Sequence, residues 1–254
     1  MTDVSRRAPA RLSWAALLAA AALAWALTVR FASGMTPGPG TMGLDLPAFL
    51  ALWALMMAAM MLPSVAPFVL LYGRTLRARS TGWIRVLRAV GLFAGYLAAW
   101  VAFGLIAYAA AWAGGNLATH AAHVAPWIGA GVLAAAGLYQ LTPLKSRCLS
   151  RCRSPLGFLL RFGGLSGKLR DLRVGLYHGA YCVGCCWGLM IVLIAVGTMN
   201  LAWMAGLAGA VLLEKTWRHG KGFSIVFGLA MIAFACVVPW HPSLLPGLYM
   251  QGAM

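Results

Sequence analysis

The strongest limit on what this chain can fold into is a series of uncharged apolar runs, of which residues 47–72 contain no charged side chain at all. An α-helix rises about 1.5 Å per residue, so about 20 such residues cross the roughly 30 Å hydrocarbon layer of a bilayer. Seven candidate spans emerge: 12–29, 47–72, 88–113, 126–142, 174–198, 199–214 and 222–240. Only 9% of the 254 residues are charged, against about 25% in soluble domains, which excludes a soluble fold. The expected fold class is all-α, a polytopic transmembrane helix bundle of about seven spans. With no linker or low-complexity stretch, the chain reads as a single integral membrane domain over 1–254.

The net charge of +16 would suggest nucleic acid in a soluble protein, but here its distribution gives orientation. Arg6, Arg7 and Arg11 precede the first run, Arg74, Arg77, Arg79, Arg85 and Arg88 follow the second, and Lys145 to Arg173 follow the fourth. Lys215, Arg218 and Lys221 follow the sixth, while the loops on the other side hold only Arg30. By the positive-inside rule the amino terminus is cytoplasmic and the carboxyl terminus outside. The first run could alternatively be a signal peptide, but its apolar core of about 18 residues exceeds the usual 7–15. The bilayer is then the main partner, with anionic lipid at the basic cytoplasmic loops and no nucleic acid.

Sulfur is the second signal. Cys182, Cys185 and Cys186 fall within five positions of the fifth span. On a helix, His178, Cys182, Cys186 and Met190 form one line with Cys185 beside Cys182. Gly184 and Gly188 face roughly the other way, as a small-xxx-small packing pair. The second span carries Met56, Met57, Met60 and Met61 before Pro63 and Pro67, which deny two amides and kink the helix. Methionine is also an ordinary core filler. By helix rise both sulfur clusters reach the bilayer midplane, where the two helices could face each other.

Other residues carry weaker signals. Cys148 and Cys152 lie four apart in a basic loop with Arg147, Arg151 and Arg153, a setting that favours thiolate. Pro155 and the following apolar run suggest that this loop docks against the membrane. Glu214, one of four acids in the chain, is either functional or an interfacial carboxylate paired with Arg218. His120 and His123 in an outer loop could accept metal, although loop histidines are usually only solvated, and Cys236 reads as a small hydrophobe. Gly91 and Gly95 mark the third span as packing scaffold.

The blocks MMAAMMLPS, QLTPLKSRCLSRCRSPLGF, YCVGCCWGLM with GTMNLAWM, and the pair Glu214–Lys215 resemble a bacterial family of predicted metal-binding integral membrane proteins. The resemblance covers about Trp53 to Lys215. It implies a helical inner-membrane protein with a metal site, and no assigned activity. By position it points to Met57, Met60, Met61, Cys148, Cys152, Cys182, Cys185, Cys186, Met190, Met199, Glu214 and Lys215.

Thiolate and thioether donors in an apolar interior suit Cu(I) best. Zn(II) on Cys182, Cys185, Cys186 and His178 is second. The leading expectation is a protein that binds and handles or transports soft metal through a midplane site of Cys182, Cys185 and Cys186 with Met57, Met60 or Met61. Cys148 and Cys152 would be a cytoplasmic exchange pair, served by a soluble metallochaperone. The alternatives are a thiol-disulfide oxidoreductase using the cysteine pairs, and a structural or assembly subunit without metal. No nucleotide loop, Ser/His/Asp set or paired-carboxylate site points to another enzyme.

Overall fold

The computed structural model of the chain describes residues 4–35, 39–162 and 164–248. Arg6, Arg7, Arg11 and Arg79 are described through their backbone alone, and residues 36–38 and 249–254 of the expected outer segments lie outside the described residues. Among those described, the secondary structure is helical: α1 (Val4–Ala32), α2 (Leu46–Arg79), α3 (Gly82–His120), α4 (Ala125–Leu141), α5 (Pro143–Arg153), α6 (Pro155–Phe162), α7 (Arg170–Ala195), α8 (Leu201–Thr216) and α9 (Gly220–Val237), with two short 3-10 turns after α9.

Local chemistry sets several boundaries. The Asp45 carboxylate accepts from the Ala48 amide and caps α2. The helix then continues through Pro63 and Pro67 to Arg79. Thr142 ends α4 and at once caps α5, its hydroxyl accepting from the Lys145 amide with Pro143 in the first turn. The chain bends by 64° there. The stretch expected as a basic loop is therefore two short helices, α5 and α6.

Five helical segments are long and apolar enough to cross a membrane: Trp14–Ala32, Leu46–Ala78, Gly82–His120, Arg170–Ala195 and Gly220–Trp240, with the bent α4–α5 pair as a sixth. The expected count of seven is not reached among the described residues. The run 199–214 forms α8, whose 16 residues extend only about 24 Å, short of a hydrocarbon layer of about 30 Å.

The most extensive helix pairing is α3 against α7, and glycine lets the two approach closely. A Cβ on Gly95 would run into the Leu172 carbonyl, and one on Gly175 into the Leu92 carbonyl. One on Gly179 would come within 2.7 Å of the Tyr96 oxygen. The backbones therefore touch without side chains between them. The pair that α7 offers α3 is thus Gly175 and Gly179, one face round from the expected Gly184 and Gly188. Gly188 instead meets Ala136 of α4, and Gly184 lies under Cys148 of α5.

A buried ion pair seats α5 on the bundle. Lys145 Nζ lies 2.8 Å from both carboxylate oxygens of Glu214, with each side chain 1% exposed. Arg153 at the end of α5 donates to the carbonyls of Glu214, Trp217 and Arg218, closing the carboxyl end of α8. Of the two readings of Glu214, the interfacial pair with Arg218 is not what forms: Glu214 is buried, and its ion-pair partner among the described residues is Lys145.

Two outcomes test this packing by thermal or denaturant unfolding in detergent. Gly95→Val forces a branched side chain against backbone and lowers stability by about 3 kcal/mol, the upper end of overpacking costs. Lys145→Met leaves a buried carboxylate unmet and costs about 3–5 kcal/mol, most of which Lys145→Met/Glu214→Leu restores.

Candidate metal centre

The central residues come from α7, where Cys182 sits about 18–20 Å from either end of the helix. Spacing puts Cys182, Cys185 and Cys186 on adjoining turns of one face, and all three are buried. Their sulfurs lie within 4.8 Å of one another, with Cys185 and Cys186 3.1 Å apart. Two sulfurs bonded to one ion at about 2.3 Å each are at most about 4.6 Å apart. Small side-chain rotations therefore suffice to place all three on one ion.

The α5 helix adds a fourth thiol. On its packed face Lys145, Cys148, Leu149 and Cys152 recur at i, i+3, i+4 and i+7, the spacing of one helix stripe. Cys152 Sγ reaches 3.8 Å from Cys185 Sγ. Cys148 lies over Gly184, whose missing side chain makes the room. The two loop cysteines, expected apart from the buried site, thus lie directly against it. All six cysteines are free thiols, Cys236 exposed on α9 away from this cluster.

The surroundings supply charge and polarity. Lys215 Nζ, on α8, donates to Cys182 Sγ at 2.9 Å and to Ser64 Oγ on α2 at 3.3 Å. Tyr96 Oη of α3 lies 3.1 Å from the same sulfur. One turn before Cys182, His178 is buried, stacked on Phe68 at 3.9 Å, with Nδ1 lacking a hydrogen-bond partner among the described residues. Next comes Asp171, held by Tyr72 and by Arg88 at 2.9 Å.

These contacts define how α2 faces α7. Tyr72 meets Asp171, Phe68 meets His178, and Ser64 shares the Lys215 ammonium with Cys182. Continuing this antiparallel register puts Met60 and Met61 level with Cys186, and Met57 level with Met190. All four methionines are buried in the core that contains the three thiols. Met199 lies farther along, near Met56, Trp53 and Phe49. His120 is exposed at the far end of α3, some 36 Å along that helix from Tyr96, and His123 is exposed beyond it.

Sequence reasoning missed three participants. Lys145 was grouped with a basic loop, although Thr142-Pro143 signals a helix start and CxxxC places Lys145 on the cysteine face. Tyr96 and Ser64 left no signal, since an isolated Tyr or Ser in an apolar run reads as packing.

The donors fit a soft metal: four thiols in contact, neighbouring thioethers, and a buried imidazole nitrogen without a partner. Three thiols converging in an apolar interior support metal binding, copper included. No characterised protein and no solved structure matches the chain. The family PpoB2, described as a copper chaperone, matches residues 50–238, which hold every residue of the centre described above. The chain belongs to this copper-chaperone family.

Proposed function

We propose that the protein is a membrane-embedded chaperone for Cu(I), and that Cys182, Cys185 and Cys186 form its holding site. The observation that carries this reading is the convergence of three buried thiols within 4.8 Å. Cu(I) suits them better than Zn(II), because soft thiolate and thioether donors prefer the softer ion. The level of Met60, Met61 and Met190 beside the thiols supports neutral ligands that add no charge. His178, whose Nδ1 lacks a partner, is a further ligand for an ion on its way in or out.

Membrane insertion is supported by the surface. Leu18, Leu23, Leu105, Ile106, Trp112, Trp127, Val226 and Leu229 all stand exposed, more apolar side chain than water-facing proteins present in one body. The arginine-rich end faces the cytoplasm in this reading. Ala16 and Leu17 of α1 line one surface with Arg77 and Arg85, while Leu248 would meet a side chain on Gly114 near the other end of α3. That arrangement favours a cytoplasmic amino terminus and an outer carboxyl end, in the bacterial inner membrane.

Cys148 and Cys152 are the exchange pair. A soluble metallochaperone docks at the basic face of α5, and Cu(I) passes to Cys152 and then to Cys185 by ligand exchange, one sulfur bonding before another leaves. Anionic lipid headgroups bind the remaining arginines. The Cys152–Cys185 contact also favours a second reading, a redox disulfide joining α5 to α7. Mass mapping of thiols from oxidised and reduced cells separates the two: a redox-dependent Cys152–Cys185 disulfide supports the oxidoreductase.

The test of the first reading is the copper content of protein purified anaerobically. Wild type retains one Cu(I) per chain and Cys182→Ser/Cys185→Ser/Cys186→Ser retains none, as expected when thiolates are the ligands. Cys148→Ser/Cys152→Ser keeps its copper but exchanges it with a soluble thiol chelator at least about tenfold more slowly. Equal copper in wild type and triple variant contradicts the reading.

A further inference from the structure

Beside the thiol cluster, one buried cation has no carboxylate partner among the described residues. The chain has four acids. Asp45 caps α2, Asp171 pairs with Arg88, Glu214 is held by Lys145 on both oxygens, and Asp3 lies outside the described residues. Lys215 is buried beside Glu214 in sequence, yet the ion pairs among the described residues give it no carboxylate. Its ammonium points to Cys182 Sγ and Ser64 Oγ instead. A buried ammonium needs a compensating charge, and the nearest groups able to supply one are the thiols.

We propose that Lys215 is the built-in counter-ion of an anionic metal–thiolate centre, and that it makes the pocket select a monovalent soft cation over a divalent one. The proposal rests on the copper reading above and adds what sets the ion's charge. Two thiols that take up one Cu(I) release two protons to water and leave a centre of net charge −1. The Lys215 ammonium 2.9 Å from Cys182 Sγ brings the sum to zero in an interior that penalises net charge. A divalent ion on the same two thiolates is already neutral, and the ammonium then becomes an excess charge. The direction does not depend on how many thiolates bind. For any fixed ligand set the monovalent complex is one unit more negative than the divalent one, and so gains more from a cation at Lys215. Ser64, bonded to the same Nζ, positions the ammonium.

Ag(I) and Hg(II) are the probes, because both are soft and accept two thiolates in line, differing mainly in charge. Affinities are measured on the purified full chain in nanodiscs by competition with a thiol chelator. Lys215→Met lowers the Ag(I) affinity relative to that for Hg(II) by about tenfold or more, and Lys215→Arg restores the wild-type ratio. Since both ions are read on the same protein, partial loss of fold weakens both together and leaves the ratio unmoved. An unmoved ratio, or one that Lys215→Arg fails to restore, overturns the proposal alone. A wild-type protein that binds neither Ag(I) nor Cu(I) overturns the copper reading as well.

Discussion

A charge placed in an apolar interior has to be met there, and three such charge contacts shape this molecule. Lys145 and Glu214 meet each other and thereby fix α5 to α8. Arg88 meets Asp171, which Tyr72 also holds, tying the carboxyl-terminal part of α2 to the amino-terminal parts of α3 and α7. Lys215 meets sulfur. Buried pairs of this kind add little net stability compared with apolar packing, but breaking one is costly, so they specify which helix sits where. The Lys145–Glu214 pair fixes where α5 lies, and that placement brings Cys152 to Cys185 and Cys148 over Gly184.

The glycine seam between α3 and α7 does a related job by geometry. With backbone against backbone at Gly95 and Gly175, α7 cannot slide or rotate without collision. Its sulfur face is therefore presented at a fixed depth to α2, α5 and α8. Tyr96, on the α3 side of that seam, touches Cys182 as a direct result. The centre is thus pre-formed: its thiols are collected by packing, which lowers the ordering that metal binding requires.

Much of the architecture could be read in the chain because apolar runs and helix periodicity are local properties. The positions of α1, α2, α3, α7 and α9 follow from run length alone, and the clustering of Cys182, Cys185 and Cys186 follows from their spacing. What escaped was set by long-range contact. Glu214 has Arg218 one turn away in sequence, yet its partner is Lys145, far off in the chain. The run 199–214 is apolar enough to suggest a span, but the cap at Asn200 and the break at Trp217 hold its helix to Leu201–Thr216, and α9 begins at Gly220. Gly175 and Gly179 were overlooked beside Gly184 and Gly188, because a small-xxx-small pair does not reveal which helix it will meet. The loop cysteines looked separate from the buried ones since nothing in α5 announces its tertiary partner except the shared face of Lys145, Cys148 and Cys152.

A chaperone has to hold its ion firmly and still release it, and the sulfur arrangement suits both needs. The inner three thiols lie out of water, where competing ligands are scarce, while Cys148 and Cys152 are only half-buried on a short helix with a basic outer face. The contact between Cys152 and Cys185 makes the two groups one continuous row of donors. X-ray absorption at the copper edge of anaerobically loaded protein tests this account most directly. It predicts Cu(I) surrounded by sulfur alone at about 2.3 Å. A first shell of nitrogen or oxygen without sulfur would contradict it.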